Sequence, residues 1–224
     1  MSQYAIGDIH GCSKTFNELL NKIGLNEGDE LYLLGDYIDR GPDSKGVIDI
    51  IWGLREKGIP VICLRGNHES MLLDALKYRE GMNDFIRNGG KQTLQSFDTV
   101  RPIDLPKEYI NFFELLPFYH EVGDYILVHA GLNFLEANPL THTESMLWIR
   151  NWYRLIDYKW LENRIILHGH TPIFQLKMKK QYENLAQNKY LNLDGGCYKK
   201  GYLCAFEMTE KKLIAQKCID EIAL

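Results

Sequence analysis

The 224-residue chain carries 26 Lys and Arg against 30 Asp and Glu, a net charge of −4. That length supplies one sizeable core rather than two, so a single domain over residues 1–224 is expected, and the near balance of charge excludes the strong positive field that nucleic acid or an anionic membrane surface would require. No apolar stretch approaches the ~20 residues of a membrane helix, and the opening MSQYAIGD has neither a basic nor an apolar leader region, which makes the cytoplasm the expected address.

Along the chain, YAI reads as a strand running into GDIHGC, and Ser13 is the expected N-cap of a helix that buries Phe16, Leu19, Leu20 and Ile23 before Gly24. ELYLL then leads into GDYIDRGPDS, followed by a helix carrying Val47, Ile48, Ile51 and Leu54 up to Gly58. IPVICL leads into RGNHES, with MLLDALKYRE helical behind it. Three times an apolar strand ends in a turn bearing Gly, Asp or Asn, and His or Arg. Such alternation is the pattern of an α/β fold with a largely parallel sheet, and ligands in open α/β sheets bind beyond the carboxyl ends of the strands. From about 81 to 117 the pattern turns to polar helices without a strand, which reads as a helical insertion beside the site. Strand signals return in YILVHAG, RIILHGH, YLNLDGG and YLCAFEM. The cysteines (Cys12, Cys63, Cys197, Cys204, Cys218) form no C-x-x-C pair and read as free thiols, most of them small buried hydrophobes.

At the strand ends stand Asp8, His10, Asp36, Asn67, His68, His129 and His168. Carboxylates and imidazoles without cysteine favour Mn, Fe, Zn, Ni or Co over a thiolate-bound structural zinc. So many donors would crowd one ion; two ions sharing a carboxylate would use them, and paired ions serve in-line displacement at phosphorus. Neither G-x-G-x-x-G nor the P-loop pattern is present, so a nucleotide-cradling loop is set aside.

GDIHG, GDYIDRG, RGNHE, HAG and HGHT, in this order across residues 7 to 171, resemble the motifs of the phosphoprotein phosphatase family, prokaryotic type, within the calcineurin-like metallophosphoesterases. The resemblance implies mixed β-sheets flanked by helices and a two-metal serine/threonine phosphatase, with manganese the first choice of metal. It implies that Asp8 and His10 bind one ion, that Asp36 bridges both, and that Asn67, His129 and His168 complete the second. A hydroxide between the ions would attack phosphorus, His68 would protonate the leaving alkoxide, Asp39 would hold the His68 ring, and Arg40, Arg150 and Asn67 would bind phosphate. The expected substrate is phosphorylated Ser or Thr in a protein, with Tyr and His as further targets. HAG replaces the HGG of many relatives, and DGGCYKKG matches the family only loosely, so Tyr198, Lys199 and Lys200 read first as an exposed hairpin turn.

The alternative within the same chemistry is hydrolysis of dinucleoside polyphosphates such as diadenosine tetraphosphate. The symmetrical tetraphosphatases share most of these motifs but often lack the carboxylate matching Asp39, which tilts the reading towards the phosphatase. A catalytically dead binding module is disfavoured because every expected ligand is intact. His170 reads as a structural or ring-holding group, Arg65 and Glu69 as structural partners, and His120 and His142 match no motif.

Overall fold

The computed structural model describes residues 1–222. Its strands are β1 (Gln3–Ile6), β2 (Glu30–Leu33), β3 (Val61–Cys63), β4 (Tyr119–Val122), β5 (Tyr125–Val128), β6 (Ile165–His168), β7 (Tyr190–Asn192), β8 (Asp194–Gly195), β9 (Tyr202–Glu207) and β10 (Lys212–Lys217). They form two mixed sheets. One runs β10-β9-β1-β2-β3, with β8 on β9; the other runs β4-β5-β6-β7. The pairs among β1, β2 and β3 and among β5, β6 and β7 are parallel, as the strand-helix rhythm of the sequence leads one to expect; the remaining pairs are antiparallel. β4 and β10 carry no strong apolar signal and were not anticipated, because they are edge strands with half-exposed residues.

Period-two alternation sorts the side chains into three cores. In β1 and β2, Tyr4, Ile6, Leu31 and Leu33 face one way, into a core shared with Phe16, Leu19, Val47 and Ile51 from the helices. Ala5, Tyr32 and Leu34 face the other way and meet Tyr125, Leu127, Ile165, Leu167 and Leu191 of the second sheet. Ile126, Val128 and Ile166 point to the far side of that sheet, against Met146, Trp152 and Leu161. The layers are therefore helix, sheet, sheet, helix. Full burial of a side chain such as Phe16 or Ile51 contributes about 1.5–3 kcal/mol.

The helices are α1 (Ser13–Ile23), α2 (Ser44–Glu56), α3 (Asn67–Lys77), α4 (Arg79–Phe85), α5 (Lys91–Ser96), α6 (Lys107–Glu114), α7 (Thr143–Trp148), α8 (Tyr158–Leu161), α9 (Gln175–Glu183) and α10 (Leu185–Asn188). Helix α1 ends at Gly24 in the left-handed region, but Ser13 is not its cap: its hydroxyl donates to Asp43 Oδ2 at 2.6 Å, and Asp43 itself caps α2 by accepting from Gly46 N–H. Helix α3 starts earlier than its apolar pattern, so Asn67 and His68 sit in its first turn. Between α3 and β4 every element is helical, and α4 to α6 lie alongside α2 and α3.

Candidate metal centre

The carboxyl ends of β1, β2, β3, β5 and β6 meet at one place, and sharp turns throw their polar residues inward. His10, Asp36, Asp39, Arg40 and His170 all have positive φ, between 48° and 71°, a conformation that is costly for non-glycine residues and concentrates where function over-determines the backbone. The turns also approach each other closely. A Cβ on Gly66 would stand 2.2 Å from Asp36 Oδ1, and one on Gly169 would stand 2.0 Å from Asp8 Oδ1. These two glycines are thus required by close approach rather than by flexibility.

Asp36 is the hub. Its Oδ2 faces the Nε2 atoms of His10 at 3.5 Å and His68 at 3.9 Å, while Oδ1 faces His129 Nε2 at 3.4 Å and accepts from His68 N–H at 3.1 Å. The two oxygens thus look into two separate groups of donors, His10 with His68 and His129 with His170. Ring orientations are fixed from behind: His10 Nδ1 donates to Ile38 O and His129 Nδ1 to Leu34 O, both at 2.9 Å, which turns each Nε2 towards the cluster. Asn67 Oδ1 lies 2.9 Å from both His129 Nε2 and His170 Nδ1. Both oxygens of Asp8 accept from His170 N–H at 3.0 Å.

His68 Nδ1 meets Asp39 Oδ2 at 2.6 Å, and Asp39 Oδ1 accepts from the Thr93 hydroxyl at 2.5 Å. The insertion grips this turn elsewhere as well, through Arg40 N–H to Gly89 O at 3.2 Å and Lys45 N–H to Ser96 Oγ at 2.8 Å. Arg40 Nη1 lies 2.8 Å from His10 Nε2, and its guanidinium lies 4.4 Å from the centre of the Tyr198 ring. Arg150 is exposed, and its positive charge is the second cause, after burial, of the fall of the His170 pKa to about 3. Glu69 is a buried acceptor for the backbone N–H groups of Gly66, Asp36 and Tyr37, and so fixes two of the turns to each other.

The structure sets one expected ligand apart from the others: the His168 ring packs 5.1 Å from Trp152, with its Nε2 buried and unpartnered, while its neighbour His170 stands with Asp36 and His129. The reason is strand parity. His168 shares the outward face of Ile166 on β6, whereas His129 continues the inward face of Tyr125 and Leu127 on β5. That parity was present in the sequence. Asp194, at the start of β8, was missed: it is buried, burial pushes its carboxyl up to about 6, and its charge raises Asp8. Thr93 was missed too, because nothing in KQTLQS marks it.

Burial pushes the carboxyls of Asp8, Asp36 and Asp39 well above their usual range and the imidazoles of His10, His68 and His129 well below theirs. Among the described residues, the Nε2 atoms of His68, His168 and His170, Asp194 Oδ2 and, farther off, Arg65 Nε are buried without hydrogen-bond partners. Orphaned nitrogens beside crowded, desolvated carboxylates form a donor set that fits divalent cations of the nitrogen- and oxygen-loving kind, and a pair of them suits the two faces of Asp36.

A sequence model of the calcineurin-like phosphoesterases matches residues 1–203. The asymmetrical bis(5'-nucleosyl)-tetraphosphatase of Geobacillus sp. (strain WCH70) is 26% identical over 94% of this chain and 91% of its own length. The symmetrical bis(5'-nucleosyl)-tetraphosphatase of Nitrosospira multiformis is 36% identical over 59% of this chain, which spans only 44% of that longer relative. Among solved structures, a protein serine/threonine phosphatase from Saccharomyces cerevisiae superposes with a TM-score of 0.67 at 15% identity, covering 100% of this chain and 82% of the other, a likeness of fold.

Proposed function

We propose that this chain, which belongs to the calcineurin-like phosphoesterase family, is a dinucleoside polyphosphate hydrolase of the diadenosine tetraphosphate type. The observation that carries the substrate class is a cationic track. A cavity of about 430 Å³ lined by Arg40, Arg87, Tyr198 and Lys199 adjoins the cluster. A second, of about 490 Å³, shares Lys199 and adds Lys200, Lys217 and Phe174. Such a run of cations suits a chain of phosphates better than one phosphomonoester, and Phe174, 90% exposed, offers a ring face to a base. The full-length likeness to asymmetrical tetraphosphatases supports the same reading and points to unequal cleavage, into a mono- and a triphosphate.

Asp8, His10, Asp36, Asn67, His129 and His170 would hold a pair of divalent cations. When bound, such a pair supplies charge neutralisation at phosphorus and acidifies water. The chain's own residues position the substrate. Arg40, held over the Tyr198 ring beside His10, would bind phosphate oxygens through its guanidinium, and Arg150, whose charge is felt at His170, would add a second cation from the other sheet. His68, its Nδ1 held by Asp39, aims Nε2 inward as the proton donor to the leaving oxygen. Burial pushes the Asp39 carboxyl up and the His68 imidazole down, and their 2.6 Å contact fixes the ring so that Nε2 is the free nitrogen.

One observation favours a second reading, a phosphoprotein substrate. The 2.6 Å Asp39–His68 contact holds a proton donor in place, which an alkoxide leaving group from Ser or Thr needs far more than a phosphate leaving group does. The test is kcat/KM on diadenosine tetraphosphate and on a phosphoserine peptide, with product analysis, for the parent chain and for His68→Asn. The first reading expects the dinucleotide to win by orders of magnitude and to lose far less in His68→Asn than the peptide does. A preference for the peptide, with a fall of ~10²–10⁴ in the variant, would reverse the choice.

A further inference from the structure

Behind the turn that bears His10, three of the five cysteines converge. Cys12 stands before α1, Cys197 opens the short turn after β8, and Cys218 follows β10. Their sulfurs all lie within 4.8 Å of one another, although the three come from separate segments of the chain. Cys12 and Cys197 are buried and Cys218 is half-buried, so the group is closed on one side and open to solvent on the other. The segment bearing Cys218 is fixed in place. Asp220 accepts from Thr15 N–H at 2.9 Å and from the Thr15 hydroxyl at 2.5 Å, and Cys218 N–H donates to Gly201 O at 3.0 Å.

We propose that Cys12, Cys197 and Cys218 form a thiolate site for one soft cation of the zinc(II) or copper(I) class, separate from the nitrogen- and oxygen-lined centre. Three sulfurs around an ion at about 2.3 Å stand roughly 3.8–4.0 Å apart, so the observed spacing needs a contraction of under about 1 Å to close on it. A disulfide would draw two sulfurs to ~2.05 Å and leave the third unused. The donor set is all sulfur, which selects zinc and copper(I) over magnesium, calcium or manganese. Binding exchanges three S–H bonds for three metal–sulfur bonds and releases three protons to solvent, while the half-exposed side leaves a position for water. The site sits behind the catalytic groove. Cys12 follows His10 by two residues, and Cys197 precedes Tyr198, whose ring lies 4.8 Å from that of His10. A cation there clamps both loops to the C-terminal segment.

The test is titration of the fully reduced chain with Cd²⁺, followed by the ultraviolet thiolate-to-metal absorption. That band reports sulfur ligation and is blind to the imidazole and carboxylate centre. The expected result is a band whose plateau intensity corresponds to one sulfur-ligated Cd²⁺ per chain, and shielding of these three cysteines from alkylation as read by mass spectrometry. Cys218→Ser, at the half-exposed position, should fold with a similar metal-free melting temperature, keep its hydrolase activity, and bind Cd²⁺ at least tenfold more weakly with a weaker band. Cys63→Ser should leave the band intact. No thiolate band in the reduced chain, whether or not air oxidation yields a disulfide, overturns the proposal. So does a band unchanged in Cys218→Ser.

Discussion

The two sheets end at the same place but contribute to it unequally. The loops after β1, β2 and β3 deliver Asp8, His10, Asp36, Asp39, Arg40, Asn67 and His68, whereas the second sheet brings His129 and His170. The orientation of the second set is dictated by the first. His129 is turned by Leu34 O, His170 is anchored through its N–H to Asp8, and both imidazoles share Asn67 Oδ1. The first sheet is thus the frame of the site and the second completes it.

That asymmetry can be broken by substitution. Asp36→Ala removes the only carboxylate, among the described residues, that both histidine groups share, and turnover should fall by at least ~10³, with bound divalent metal lost on elemental analysis. Retention of both ions would mean that the frame does not depend on its hub. His170→Ala should weaken one cation by more than the ~10–100-fold typical of supporting residues, while His168→Leu leaves metal content at the parent level. The opposite pattern in calorimetric titration would return His168 to the cluster. Thr93→Val deprives Asp39 of its 2.5 Å donor and should lower kcat about tenfold with KM little changed. A change confined to KM would place Thr93 in substrate binding instead.

A separate effect is on stability. Burial lowers His168 from 6.5 to about 4, so the unfolded chain takes up the proton first as the pH falls. Stability associated with His168 is therefore fully present above pH 6.5 and drains away towards pH 4, by about 3 kcal/mol in the metal-free protein. His168→Leu should flatten that part of the curve in chemical denaturation at several pH values. An unchanged slope would show that the ring is hydrated.

The frame was the legible part of the sequence. GDIHG, GDYIDRG and RGNHE each pack several donors into a turn directly after an apolar run, so the residues at the ends of β1, β2 and β3 could be named from order alone. The second sheet offered two histidines within HGHT, two residues apart and so of equal parity; what separates them is that β6 ends at His168, while His170 lies in a turn of positive φ. Thr93 and Asp194 were hidden for a different reason. Each is a single polar residue whose partner lies far away in the chain, and no local pattern encodes a contact of that kind. The convergence of Cys12, Cys197 and Cys218 was invisible for the same reason, so thiols that read singly as small hydrophobes turned out to be neighbours.

The grip of the helical insertion on the catalytic turn has an evolutionary consequence. Gly89, Thr93 and Ser96 hold residues 39 to 45, whereas Arg87 and Asn88, just before them, line the cavity beside Arg40. Arg87 and Asn88 can therefore vary in composition, and with them the lining of that cavity, whereas Phe85 and Gly81 just before them are held by the core and by the α3 backbone. One segment thus holds an adaptable part and a constrained part side by side, an arrangement by which a hydrolase could change its substrate without rebuilding its centre.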